Sequence, residues 1–250
     1  LVALWSGYWY VGRSAVRDGV NSWFADAAGQ GLVAENTGVT VAGYPNRWDL
    51  TVEGLHLADP GAAVGWTAPF VQVFAMTWKP WHIIAAFPPD QEVALPDQVV
   101  TLASEGMRAS FRAKPALDLP LAAVILETNR LTASSTAGWT VGAGRSVASI
   151  SADEDVPGAG DALNTYVLSL DMADVTPDPA FLARVKAVAI PDLPPSDLPQ
   201  TMDRVIGSIF VTLSAPLDRH AGETKPYLTL VEVNQMNFAW GQLAATAKGL

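Results

Sequence analysis

The chain has 250 residues, 25 acidic against 15 basic side chains, three histidines, no cysteine and a mean hydropathy of +0.21. A formal charge of −10 excludes a nucleic-acid footprint, which needs clustered lysine and arginine, and disfavours docking by overall charge on an anionic membrane; the lack of cysteine excludes disulfides, thiolate metal sites and cysteine catalysis. Half the residues are hydrophobic, which implies a large core, an apolar groove or a covering partner, in one large or two small domains.

The run Leu1 to Gln30 reads as a helix. Trp5, Trp9, Val16, Val20, Trp23 and Ala27 recur at steps of three, four or seven residues and so share one face. Gly29 and Gly31 act as helix stops. The wholly apolar part, Leu1 to Gly12, reaches about 18 Å at helical rise, short of a hydrocarbon core of roughly 30 Å. The expectation is therefore the end of a longer membrane-embedded helix. Trp5, Tyr8, Trp9 and Tyr10 would form an interfacial aromatic belt with Arg13 just outside it. The alternative is an amphipathic helix packed on its own domain. Residues 1–30 are taken as the anchor and 31–250 as a β-rich domain.

Leu32 to Val41 reads as a strand broken at Asn36-Thr37-Gly38, and Gly43-Tyr44-Pro45-Asn46 as a turn. Arg47 to Leu57 alternates: Trp48, Leu50 and Val52 point one way, Asp49, Thr51 and Glu53 the other. Leu55 and Leu57 continue in the opposite phase, which suggests a bulge and register slip at Gly54. Phe70, Phe74, Met76 and Trp78 share one parity in the next strand. Together with Trp48, Leu50 and Val52 they are the candidates for an apolar groove wall; closed sheet core is the other reading. Trp81 to Phe87, Glu92 to Leu95, Gln98 to Ser104 and Met107 to Ala113 continue as a meander of short strands.

Leu121 to Thr128 fits a strand or a short buried helix. Leu131 to Ser135, Trp139 to Val141, Ser146 to Ser151 and Tyr166 to Met172 continue the β pattern. Pro179 to Ile190 has helical periodicity, with Asp178 as N-cap and Pro179 at the first helical position. Pro191 to Pro199 reads as extended loop. Arg204 to Leu213, Pro226 to Val233 and Gln235 to Thr246 close the chain as strands, the last two joined as a hairpin near Val233-Asn234. The whole is mainly β: long antiparallel strands, an N-terminal helix and one short helix.

Chemistry is sparse. His56, His82 and His220 show no ligand spacing. Asp153, Glu154, Asp155 and Asp161 form the densest acidic cluster, without EF-hand spacing. Arg47 and Asp49 share a strand face and suit a structural ion pair. Gly142 to Ser146 lacks the lysine of a phosphate loop. No catalytic residue, metal site or cofactor is expected.

The pattern V-A-G-Y-P-N-R-W-D-L-T-V-E-G-L-H-L-A-D-P at 41–60 stands with W-S-G-Y-W-Y at 5–10 and W-T-A-P-F-V-Q-V-F-A-M-T-W-K-P at 66–80. Together they resemble the DUF2125 family of alphaproteobacterial envelope proteins, related to the AsmA-like group. The closing segment 228–250 resembles an AsmA-type strand pair. The resemblance implies a helix in the inner membrane, a β domain in the periplasm built as one long curved antiparallel sheet with an apolar inner face, and membrane lipid as the partner carried or shielded. An accessory subunit bound through its helix to an integral membrane protein complex is the competing expectation.

Overall fold

The computed structural model of the chain describes residues 2–152, 164–187 and 198–249. Sixteen strands among them form one antiparallel sheet that does not close on itself. The chain forms two compact units. Unit 1 comprises Leu1–Ala109 and Ala133–Gly138; unit 2 comprises Ser110–Thr132 and Trp139–Leu250.

Unit 1 opens with α1 (Val2–Ala27). A 3₁₀ turn, Ala28–Gln30, and Gly31 in the left-handed region (φ 79°) end it, as the two glycines imply. The strands that follow are β1 (Val33–Glu35), β2 (Gly38–Ala42), β3 (Arg47–Asp59) and β4 (Val64–Met76). Next come β5 (Lys79–Ala86), β6 (Asp90–Leu95) and β7 (Gln98–Glu105). β1 and β2 lie end to end along β3, which pairs on its other edge with β4.

The alternation in β3 does change phase at Gly54, but the register does not slip. Glu53 faces Phe70 before it and Leu55 faces Ala68 after it. Gly54 takes φ 57° and so returns Leu55 to the face that carries Val52. A Cβ there would lie 2.6 Å from the Thr37 hydroxyl, and positive φ is strained for any side chain. Against this face α1 lays Trp9, Val16, Val20 and Phe24, closing a core with Val41, Trp48, Leu50, Val52, Leu55 and Ala68. Phe24, not Trp23, completes the helical stripe. Trp23 points outward and is 48% exposed.

Two strands, β8 (Arg108–Ala113) and β10 (Arg130–Ser135), contribute residues to both units. Unit 2 is otherwise built on β9 (Leu121–Thr128), β11 (Thr140–Ala143), β12 (Ser146–Ala152) and β13 (Thr165–Val175). The remaining strands are β14 (Met202–Leu213), β15 (Leu228–Trp240) and β16 (Leu243–Lys248), with the helices α2 (Pro179–Ala187) and α3 (Ala221–Thr224). Leu121 to Thr128 is thus a strand.

Asp178 caps α2 as its position implies, accepting the amides of Ala180 and Phe181 at 2.9 and 3.2 Å. Residues 188–190 of the expected helix, 191–197 of the expected loop and the acidic group Asp153, Glu154, Asp155 and Asp161 lie outside the described residues. The expected hairpin at Val233-Asn234 is corrected. β15 runs through it, and Asn234 is an extra residue between the pairs Ser208–Gln235 and Ile209–Val233. The reversal comes at Gly241, which takes φ 57° and donates its amide to Asp203 Oδ2 at 2.7 Å. Val233 is a strand former and Asn234 is followed by Gln235 rather than the glycine a two-residue hairpin turn favours; the bulge absorbs the change of parity.

Candidate functional site

Opposed residues of an antiparallel pair share a sheet face. That rule divides the expected groove wall in two. Trp48, Leu50 and Val52 face Ala75, Val73 and Val71, and all lie on the side covered by α1. Phe70 and Phe74 face Glu53 and Asp49, and Met76 faces Arg47, on the opposite side. Trp78 lies beyond β4 in the β4–β5 turn, 55% exposed. The first three residues are core. The aromatic side chains on the other face are interleaved with charge: Arg47 stacks over Phe74 at 5.8 Å and bridges Asp49 at 2.7 Å. No single apolar wall unites the seven.

A wall of the expected kind is present in unit 2. Its residues follow from the pairing of β9, β12, β13, β14 and β15. One cross-strand row runs Leu126, Ala148, Leu170, Gly207, Met236; the next runs Val124, Ile150, Leu168, Ile209, Val233. Every side chain in both rows is apolar or absent. The row between them on the reverse face is polar over most of its length: Ile125, Ser149, Ser169, Ser208, Gln235. The apolar face forms an open groove of about 520 Å³. Leu126, Leu170 and Met236 remain 37%, 38% and 52% exposed along it. The signal was present in the sequence as equal parity within β9, β12, β13 and β14; in β15 the extra residue Asn234 breaks the parity between Val233 and Met236. Which strands share that face depends on register, which no local pattern supplies.

Gly207 stands between Leu170 and Met236 in the first row. Its φ is ordinary, so no turn requires a glycine there. A Cβ built on it meets nothing within 4 Å, so no protein neighbour requires one either. Glycine inside a strand costs about 0.5–1 kcal/mol relative to alanine. It often marks a place where something else approaches the backbone.

The residues expected at a membrane interface hold α1 to unit 1. Trp9 is 4% exposed and donates to the Arg47 carbonyl at 2.7 Å. Trp5 donates to the Pro45 carbonyl at 3.0 Å, Tyr8 to the Thr77 carbonyl at 2.8 Å and Arg13 to the Val41 carbonyl at 2.9 Å. Tyr10 is exposed and lies 6.2 Å from the Tyr44 ring. Trp9 is therefore a core anchor, while the flanks of Trp5, Tyr8 and Tyr10 remain open. The helix packs on its own domain, as the alternative reading of Leu1 to Gln30 has it. None of the described helices is long and apolar enough to cross a membrane.

The titratable groups are dispersed. His56 shares a hydrogen bond with the Thr67 hydroxyl at 3.0 Å. His220 accepts from Arg219 and lies 3.6 Å from Asp118. Arg204 grips Asp171 across β13 and β14 through two bonds of 2.8 and 2.7 Å. Among the described residues no three His, Asp or Glu side chains converge as metal ligands.

A family model described as "Uncharacterized protein conserved in bacteria (DUF2125)" matches residues 9–250. No curated protein and no solved structure matches the chain.

Proposed function

This chain belongs to the DUF2125 family, and we propose that it is a non-enzymatic envelope protein whose unit 2 holds acyl chains of membrane lipid on an apolar sheet face. In this reading, which the AsmA-like resemblance also implies, the β-rich part lies in the periplasm. The N-terminal end of α1 meets the inner membrane there.

One observation carries the proposal: two consecutive apolar rows cross five strands with no charged side chain among them. A row of five strands spans about 19 Å at the usual strand spacing, the length of an extended chain of about fifteen methylenes. Exposed apolar patches of this kind are rare on monomers unless something covers them. A charged or strongly polar ligand would be desolvated there with no partner. A hydrocarbon chain gives up no hydrogen bonds there and gains about 0.8 kcal/mol per methylene removed from water. Gly207 supports the same reading, because it leaves a gap in the wall where a chain would lie deepest.

The test is native mass spectrometry of protein purified in mild detergent, with Gly207→Phe in parallel. The native protein should carry co-purified lipid, and the variant should lose it while unfolding at the same or a higher temperature than native protein stripped of its lipid, because a β-forming side chain replaces a strand glycine. Recovery of no lipid with the native protein would refute the reading.

A further inference from the structure

We propose that unit 1 meets the membrane through a composite aromatic tip, made by the start of α1 and the two hairpin turns tied to it, and that the surface it fits is an anionic lipid bilayer. The proposal rests on the envelope location given above and not on the groove of unit 2.

Three separate segments are fastened together at this end. Trp5 bonds to the Pro45 carbonyl, Ser6 to the Tyr44 hydroxyl at 2.8 Å, and Tyr8 to the Thr77 carbonyl. The buried Thr77 joins the two turns through its amide and hydroxyl, both on the Asn46 carbonyl at 3.1 and 3.2 Å. Around these ties large apolar side chains stand outward. Val2 and Leu4 are each 78% exposed, with Tyr44 and Trp78 half-exposed beside them. Val2, Leu4, Trp5, Tyr8, Tyr44 and Pro45 line one open depression. The polar atoms of Trp5, Tyr8 and Tyr44 are satisfied by the protein while their side chains remain 39%, 45% and 52% exposed. Tryptophan and tyrosine with apolar neighbours are the composition of a membrane–water boundary.

Charge selects the kind of membrane. The protein as a whole is strongly acidic, but segments 2–13, 43–48 and 76–82 contain Arg13, Arg47 and Lys79 and no Asp or Glu. Arg47 is neutralised by Asp49. Arg13 spends one N–H on a carbonyl and keeps its charge, and Lys79 is exposed. The tip is thus locally cationic, and a basic residue near an anionic surface strengthens binding by about fivefold. Net charge alone concealed this.

The experiment is sedimentation of the protein with vesicles of phosphatidylcholine alone and of phosphatidylcholine mixed with phosphatidylglycerol. The native protein should bind the mixed vesicles at least fivefold better. Lys79→Glu should remove most of that preference. Trp78→Ser should weaken binding to both. Circular dichroism confirms that each variant is folded. No binding by the native protein would overturn the proposal and assign the tip to a protein partner. Binding unaffected by both tip variants would also overturn it. Lipid co-purified with the native protein reports on the groove independently, so the two readings fail separately.

Discussion

A β-carbon added at Gly12 would lie 2.1 Å from Cζ2 of Trp48 and 2.7 Å from Cε2. This one position therefore sets how closely α1 approaches β3. Trp48 cannot step aside: its indole is buried, donates to the Trp9 carbonyl at 3.3 Å and lies 5.7 Å from the Tyr8 ring. Gly12→Ala should gain up to about 1 kcal/mol of helix propensity. Overpacking of a fixed neighbour costs about 1–3 kcal/mol, so the overlap wins. The expected outcome is net destabilisation of unit 1 with earlier proteolysis of α1, read by chemical denaturation and limited digestion. Gly7, where a Cβ meets nothing within 4 Å, should tolerate the same change and so separates packing from propensity.

Among elements, the strands of unit 2 are held by pairing and by the cross-strand ion pair of Arg204 with Asp171. The bonds from Arg204 hold the Asp171 carboxyl below the usual carboxylate range; partial burial pulls the other way, and the charges of Arg204 and Arg145 add to the lowering. A carboxylate lowered on folding stabilises the protein above its unfolded value of about 3.9, and the contribution fades as pH falls through the lower folded value. Asp171→Asn should therefore lower the melting temperature by about 1–3 °C at neutral pH, the scale of an exposed pair. The gap between native and variant should close below roughly pH 4. A gap that persisted at pH 2 would remove the ion pair as its cause.

The same elements show what a sequence reader can and cannot see. Alternation located most strands, because one face of each is apolar, and Asp178-Pro179 marked the start of α2 through capping chemistry. Placing Phe70 and Phe74 beside Trp48 failed for a physical reason. Parity within a strand is local, whereas the match of two parities depends on a register set by distant pairing. The unit 2 groove was hidden in the same way: Leu126, Leu170 and Met236 align only once four pairings are known.

At the scale of the molecule, composition and fold make one statement: a chain half hydrophobic leaves an apolar groove open in unit 2. If acyl chains fill it, bound lipid stabilises the folded state by linkage. A ligand present at about a hundred times its dissociation constant adds about 2.7 kcal/mol. For a chain of this size that corresponds to a rise of about 5–10 °C in melting temperature. Extraction of lipid should lower the transition by that amount, and adding back a long-chain lipid should restore it. Protection against hydrogen exchange should rise in β9 and in β12 to β15, the strands that carry the apolar rows. Burial of apolar surface also makes the heat-capacity change of binding negative, so calorimetry gives a second readout that does not depend on unfolding. Gly207→Phe occupies the gap with its own side chain; its transition should be indifferent to both extraction and addition. A native protein equally indifferent to both would mean that the groove is empty in use, and the role of Gly207 would then need another cause.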